Sequence, residues 1–243
     1  MFESTLTLGG HSRAHLSTLL RGLPEDWEHT ERAATSMPGA LSPSLLDDLR
    51  RFNRDGVQGE LLEVMAASLR HCQDLRVQLE YGRRRFSLTL FPAHRLVLSP
   101  LPLPALLCLR LPELFVWGVE PAIALPPGDD GQLQPGAGLA HLGSLDLLSW
   151  ELALRGARGE LLPEVPAFAA YRIPPGIALQ GRGIQGPMAA AVHRLKRQSV
   201  NLRELSGWSG FDRERAMRLL NALYLQSALM VSRSHPAAQA ETR

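Results

Sequence analysis

The chain has 243 residues, of which 45% are hydrophobic and 21% charged, with 26 basic against 24 acidic side chains. That length buries a substantial core in one large or two small domains, and the composition excludes a disordered protein. The charge is uneven: from Tyr171 onward eleven Arg and Lys face four Asp and Glu, a balance of +7, while the preceding part carries −5. Such asymmetry fits either a basic nucleic-acid face or two domains of opposite sign.

The two cysteines, Cys72 and Cys108, match no metal-site spacing and define no disulfide framework. The opening "MFESTLTLGGH" lacks a basic leading segment and carries Glu3, so it does not read as a signal peptide. The most apolar region, Leu96 to Val119, is broken by four prolines, Arg110 and Glu113. A membrane helix needs about 20 apolar residues without such breaks. The expectation is a soluble, cytoplasmic protein with no membrane contact.

In chain order, His11 to Leu20 reads as a short helix and "TSMPGALSPS" as a loop. Ser42 or Ser44 then caps a helix from Leu45, with Asp47 and Asp48 near the positive end of its dipole. After a break at Asn53 to Gly56, a second helix is predicted from Gly59 to Cys72, where Leu61, Val64, Met65 and Leu69 share a face. The period then changes to two. Leu75, Val77, Leu79 and Tyr81 alternate with Arg76, Gln78 and Glu80, and "FSLTLF" and "RLVLS" follow across the turns "GRRR" and "PAH". This predicts a three-stranded antiparallel meander with one buried face. "LLCLRL" and "FVWGVE" read as two further strands, Pro126 to Gly138 as an exposed loop, and Leu145 to Leu154 as a helix. "ELLPEV" and "YRIPPGIAL" are expected to be extended.

Three motifs come close to a chemistry. Gly181-Arg182-Gly183-Ile184-Gln185-Gly186 spells the dinucleotide fingerprint GxGxxG. That fingerprint works only in a βαβ unit with an acid about 20 residues on, at the end of a second strand. Glu204 has the distance but falls in a predicted helix, so the glycines read as a linker. His11 and His15 lie one helical turn apart, with His29 and Glu25 as conceivable further ligands, but the glutamate of a zincin motif is missing. "GWSG", Gly207 to Gly210, is one residue short of a nucleophile elbow and sits between helices rather than after a strand. No catalytic residue, metal or cofactor is assigned.

The last part of the chain has clearer grammar. Pro187 suits the first turn of a helix whose Met188, Ala191, Val192 and Leu195 form a stripe. Asn201 and Glu204 make a capping-box pair for a second helix, which stops at "SGWSG", where Gly207 or Gly210 takes the left-handed conformation. Asp212 caps a third helix, with Phe211 positioned to staple onto Ala216, and Val231 to Arg233 starts a terminal strand. Helices with a tight turn before the third are the helix-turn-helix arrangement. The stretch "VNLRELSGWSGFDRERAMRLLNALYLQSALMVS" resembles a winged-helix domain. It is more loosely similar to the C-terminal helical part of bacterial PATAN (DUF4388) signalling domains. That resemblance covers roughly the last quarter of the chain and implies protein contacts in a regulatory system.

On the third helix, Ala216, Leu219, Leu220, Leu223, Ser227 and Met230 share the inner face. The outer face collects Glu214, Arg215, Arg218, Asn221, Ala222, Leu225 and Leu229. Arg215, Arg218 and Asn221 stand where a DNA-reading helix offers its donors, although Asp212 and Glu214 oppose phosphate. Leu225 and Leu229, one turn apart, suggest a second packing surface, against the N-terminal domain, a second copy or a partner. The sequence thus predicts an α+β protein. Residues 1–180 form an α+β domain with an antiparallel meander and helices, and residues 181–243 a winged-helix-like module. The leading function is a non-enzymatic regulatory or adaptor protein, with a protein partner or homodimer meeting Arg215, Arg218, Asn221, Leu225 and Leu229. The alternative is a DNA-binding transcriptional regulator, to which Arg194, Lys196, Arg197 and Arg203 add basic contacts. A third reading is an enzyme in the N-terminal domain.

Overall fold

The computed structural model describes residues 41–52, 60–122, 140–179 and 183–238. The expected helix at His11 to Leu20, the His11, His15, His29 and Glu25 grouping, the break at Asn53 to Gly56 and the loop at Pro126 to Gly138 lie outside the described residues. The chain is α+β and divides into two compact units, Met1–Leu148 and Ser149–Arg243.

The first unit begins with α1 (Pro43–Phe52) and α2 (Leu61–His71). Cys72 ends α2 in the left-handed conformation, and its N–H bonds to the Ser68 carbonyl. The strands β1 (Leu75–Tyr81), β2 (Arg84–Phe91) and β3 (Leu96–Ser99) form the meander expected from the alternating period. Gly82, with φ of 64°, supplies the left-handed residue that a two-residue hairpin turn requires. Leu75, Val77 and Leu79 of β1 and Leu88 and Leu90 of β2 are fully buried. The other face of these strands carries a buried Arg76, whose Nε donates to Ser87 Oγ at 3.2 Å.

One expected strand does not form. "LLCLRL" lies across the end of α3 (Leu103–Leu107) and a 3-10 turn at Leu111–Glu113. Pro102 and Pro104 preset helical φ at its start, and the apolar run alone does not separate a buried strand from a buried helix turn. "FVWGVE" does form a strand, β4 (Phe115–Pro121), which pairs antiparallel with β1 across a bulge at Gln78/Leu79. With β5 (His141–Ser144) the sheet order is β4-β1-β2-β3-β5. Helix α4 (Leu145–Arg155) follows and contains the boundary between the units.

The second unit contains β6 (Ala170–Arg172), α5 (Gly186–Arg197), β7 (Val200–Asn201), α6 (Leu202–Ser206), α7 (Arg213–Leu225) and β8 (Met230–Ser232). The capping box forms as read: Glu204 N donates to Asn201 Oδ1 at 2.9 Å and Asn201 N to Glu204 Oε2 at 3.4 Å. Gly210 is the left-handed glycine of the turn, with φ of 78°, whereas Gly207 is right-handed. A side chain at Gly210 would also meet Pro187 Cγ at 2.7 Å, so both conformation and space select glycine there. The small sheet has the order β7-β6-β8, with the strand that precedes the helices in its centre. The compact unit runs from Ser149, and within it β6 joins the two ends of the helical module.

Tyr171 sits fully buried on that central strand, and its hydroxyl donates to the Pro166 carbonyl. Burial pushes the hydroxyl pKa up to about 12, against smaller opposing pulls from the Ala169 backbone and the Arg213 charge. The unfolded chain loses this proton near pH 10. Folding stability from this group is thus complete below pH 10 and is lost as pH rises toward about 12, on the order of 2 kcal/mol in all. Urea unfolding of the wild type should weaken over that window more than unfolding of Tyr171→Phe does. Equal alkaline slopes for the two proteins would contradict it.

Candidate functional site

Helix α7 carries most of the residues singled out for contact. Asp212 caps it, accepting from Arg215 N at 2.7 Å, and Arg213, Glu214 and Arg215 are exposed. The Arg215 guanidinium turns back to the Gly210 carbonyl. From Arg218 onward the outer face is occupied. Arg218 Nη1 donates to the Gly156 carbonyl at 2.8 Å and the Leu154 carbonyl at 3.4 Å, and its Nη2 lies 2.8 Å from Glu214 Oε1.

Asn221 is fully buried. Its Nδ2 donates to the Glu160 carbonyl at 2.7 Å, and its Oδ1 accepts from Leu162 N at 2.9 Å. One amide therefore closes a donor and an acceptor of the same irregular segment, which fixes which end of the amide is which. Leu225 is 3% exposed, and Leu229 is half-buried. The expectation that Arg218, Asn221 and Leu225 form an open contact face is corrected: residues 154–162 hold Arg218 and Asn221, and Leu225 is buried. A helical wheel tells which residues share a side, but not what the chain places on it about sixty residues upstream.

The accessible charge lies elsewhere in the unit. On α5 the apolar Ala191, Val192 and Leu195 are buried, while His193, Arg194, Lys196 and Arg197 are exposed. Arg194 stacks over the Trp208 ring at 4.2 Å, and Arg197 Nη1 lies 3.5 Å from His193 Nε2. Arg203 is exposed on α6. Three cations in the last turn of α5 also complement the negative end of its dipole, which stabilises each by about 0.3–1 kcal/mol. Of the fingerprint glycines, Gly181 lies outside the described residues, Gly183 precedes α5 and Gly186 opens it, with φ of 60° and 55° for the last two. The strands on either side of α5, β6 and β7, pair antiparallel, so the parallel crossover that a dinucleotide site requires is not what forms around the motif.

A constellation that sequence spacing hides occurs in the first unit. His71 Nε2 lies 2.7 Å from Asp48 Oδ2 and its Nδ1 3.5 Å from Ser44 Oγ, while Arg70 Nη1 holds the same Asp48 oxygen at 2.8 Å. These are the residue types of a nucleophilic triad. Yet the arginine shares the carboxylate, and the N–H of Leu45 in the first turn of α1 is already bonded to Ser42 Oγ at 3.4 Å. An acyl-transfer site needs backbone donors aimed at a developing oxyanion. The cluster instead pins α1 to α2. No sequence signal pointed to it beyond Asp48 in the first turns of a helix.

Among the described residues, no group of three His, Cys, Asp or Glu side chains is placed to hold a metal ion, and no helix is long and apolar enough to cross a membrane. Comparison of the chain with protein-family models, with curated proteins and with solved structures gives no match.

Proposed function

We propose that the protein is a non-enzymatic regulatory or adaptor protein whose second unit, a winged-helix-like arrangement, makes protein contacts. One observation carries this choice over DNA reading. A recognition helix must present Arg and Asn side chains to base edges from an open face. On α7 the asparagine is committed to Leu162 and Glu160, and Arg218 to Leu154 and Gly156. What α7 leaves exposed is its first turn, where Glu214 stands between Arg213 and Arg215 and repels phosphate.

The DNA-binding reading retains one support, the exposed Arg194, Lys196, Arg197 and Arg203 within a segment of net +7. Such a patch gives attraction to any polyanion without selecting a sequence. Fluorescence anisotropy with labelled duplexes tests the two readings together. DNA binding should be weak at physiological salt and indifferent to sequence, and it should fall with log salt at a slope near −0.9 per phosphate contacted. Tight, sequence-selective binding abolished by Arg213→Ala with Arg215→Ala would overturn the adaptor reading.

A further inference from the structure

An open groove of about 480 Å³ lies in the second unit, lined by α5 and by the segment Gly176–Leu179 with Ile184. Ile177, Leu179, Ile184 and Val192 give it an apolar lining. The first three are only half-buried, so aliphatic surface is left to water in one place. His193 and Lys196 are the sole ionisable groups among its lining residues, and they lie on one turn of α5.

The charge around this groove is one-sided. The twelve residues of α5 include no Asp or Glu. Two arginines on other helices of the unit are paired with a carboxylate one turn away, Arg155 with Glu151 and Arg218 with Glu214, while Arg215 bonds the Gly210 carbonyl instead. Among the described residues Lys196 has no such partner. The helix dipole accounts for cations in the last turn, but not for a groove end that lacks any counter-carboxylate. Apolar walls give nothing to a phosphate backbone. An open groove also covers too little of a small molecule, since small-molecule sites bury about 70–90% of their ligand. A chain segment that continues past both ends of the groove meets neither objection.

Resting on the protein-contact reading above, we infer that this groove docks an acidic segment of a partner protein. The segment inserts an aliphatic or aromatic side chain between Ile177, Ile184 and Val192 and presents an Asp or Glu to Lys196. The apolar anchor supplies affinity, and the charge pair fixes register and speeds association.

A library of random peptides displayed on phage, panned on the full chain, tests this. Enriched peptides should place an apolar residue beside an acid. A synthetic representative should lose about tenfold or more in affinity for Lys196→Glu and for Ile184→Asp, and little for Arg203→Ala. Both informative substitutions replace exposed or half-buried side chains, and unchanged thermal melts establish that the fold is kept. Failure to enrich any peptide, or enrichment of basic or purely apolar ones, overturns the inference. Selective peptides that bind equally well to Lys196→Glu and Ile184→Asp overturn the groove while leaving the protein-contact reading in place. Sequence-selective duplex binding by the same preparation overturns both.

Discussion

Replacing Asn221 with leucine should lower the stability of the protein by about 2–3 kcal/mol, an effect large against the 5–15 kcal/mol typical of a folded domain. The side chains are similar in size, so packing is nearly conserved. The polar consequence is not. The Leu162 N–H loses its acceptor inside a buried environment, and the Glu160 carbonyl loses its donor. A buried unsatisfied group costs about 1–3 kcal/mol, whereas the hydrogen bond it replaces is worth about 1 kcal/mol net. Arg218→Ala should cost less, about 1–2 kcal/mol, because the carbonyls of Leu154 and Gly156 that it leaves can turn to water more readily. Urea unfolding of the full chain, followed by far-ultraviolet circular dichroism, measures both. A change below about 0.5 kcal/mol for Asn221→Leu would mean that residues 154–162 are not held on α7. That result would reopen the helix to DNA and weaken the function proposed for this protein.

How much of this was legible beforehand depends on the range over which each feature is decided. The capping box of Asn201 and Glu204, the Asp212 cap and the hairpin turn at Gly82 were readable because each is settled within about four residues. The β1-β2-β3 meander was readable because a strict period of two over two adjacent strands leaves one register that buries Leu75, Val77 and Leu79 together. "LLCLRL" was not, since Leu106, Leu107 and Leu109 are buried whether the backbone is helical or extended. There Pro102 and Pro104 carried the better signal.

The candidate site was less legible, for a physical reason that applies to each missed residue. Asn221 on a helix looks like a donor waiting for a base, and only the tertiary fold brings the Glu160 carbonyl to 2.7 Å from it. The Asp48, Arg70 and His71 cluster depends on two helices meeting, with its first two members 22 positions apart. The groove beside α5 needs the segment around Ile177 to return alongside Val192. The small sheet follows the same rule. The strand at Ala170–Arg172 opens the run expected to be extended, but nothing local tells that it sits between the strands on both sides of the helices. Local chemistry predicts caps and turns; partners distant in sequence decide which polar side chains remain for function.

Leu225 and Leu229 should therefore part company, although both were read as one apolar patch. Leu225 is 3% exposed, so Leu225→Glu places a carboxylate in a dry environment that was built for an aliphatic side chain. An uncompensated buried charge costs about 3–5 kcal/mol, enough to unfold or loosen most of the unit that contains α7. Leu229 follows the helix, after Ser227 in the left-handed conformation with φ of 54°, and is only half-buried. At that position a glutamate can turn its carboxylate to water, so Leu229→Glu should cost about 1 kcal/mol or less. Thermal melts of the two variants separate them directly. Light scattering adds the second half of the test: if Leu229 meets a second copy of the chain, Leu229→Glu should lower the particle mass while the melt stays near that of the wild type. A Leu225→Glu protein that melts like the wild type would show that the last turn of α7 is a surface after all, and the burial of Leu225 as the reason for the difference would fail.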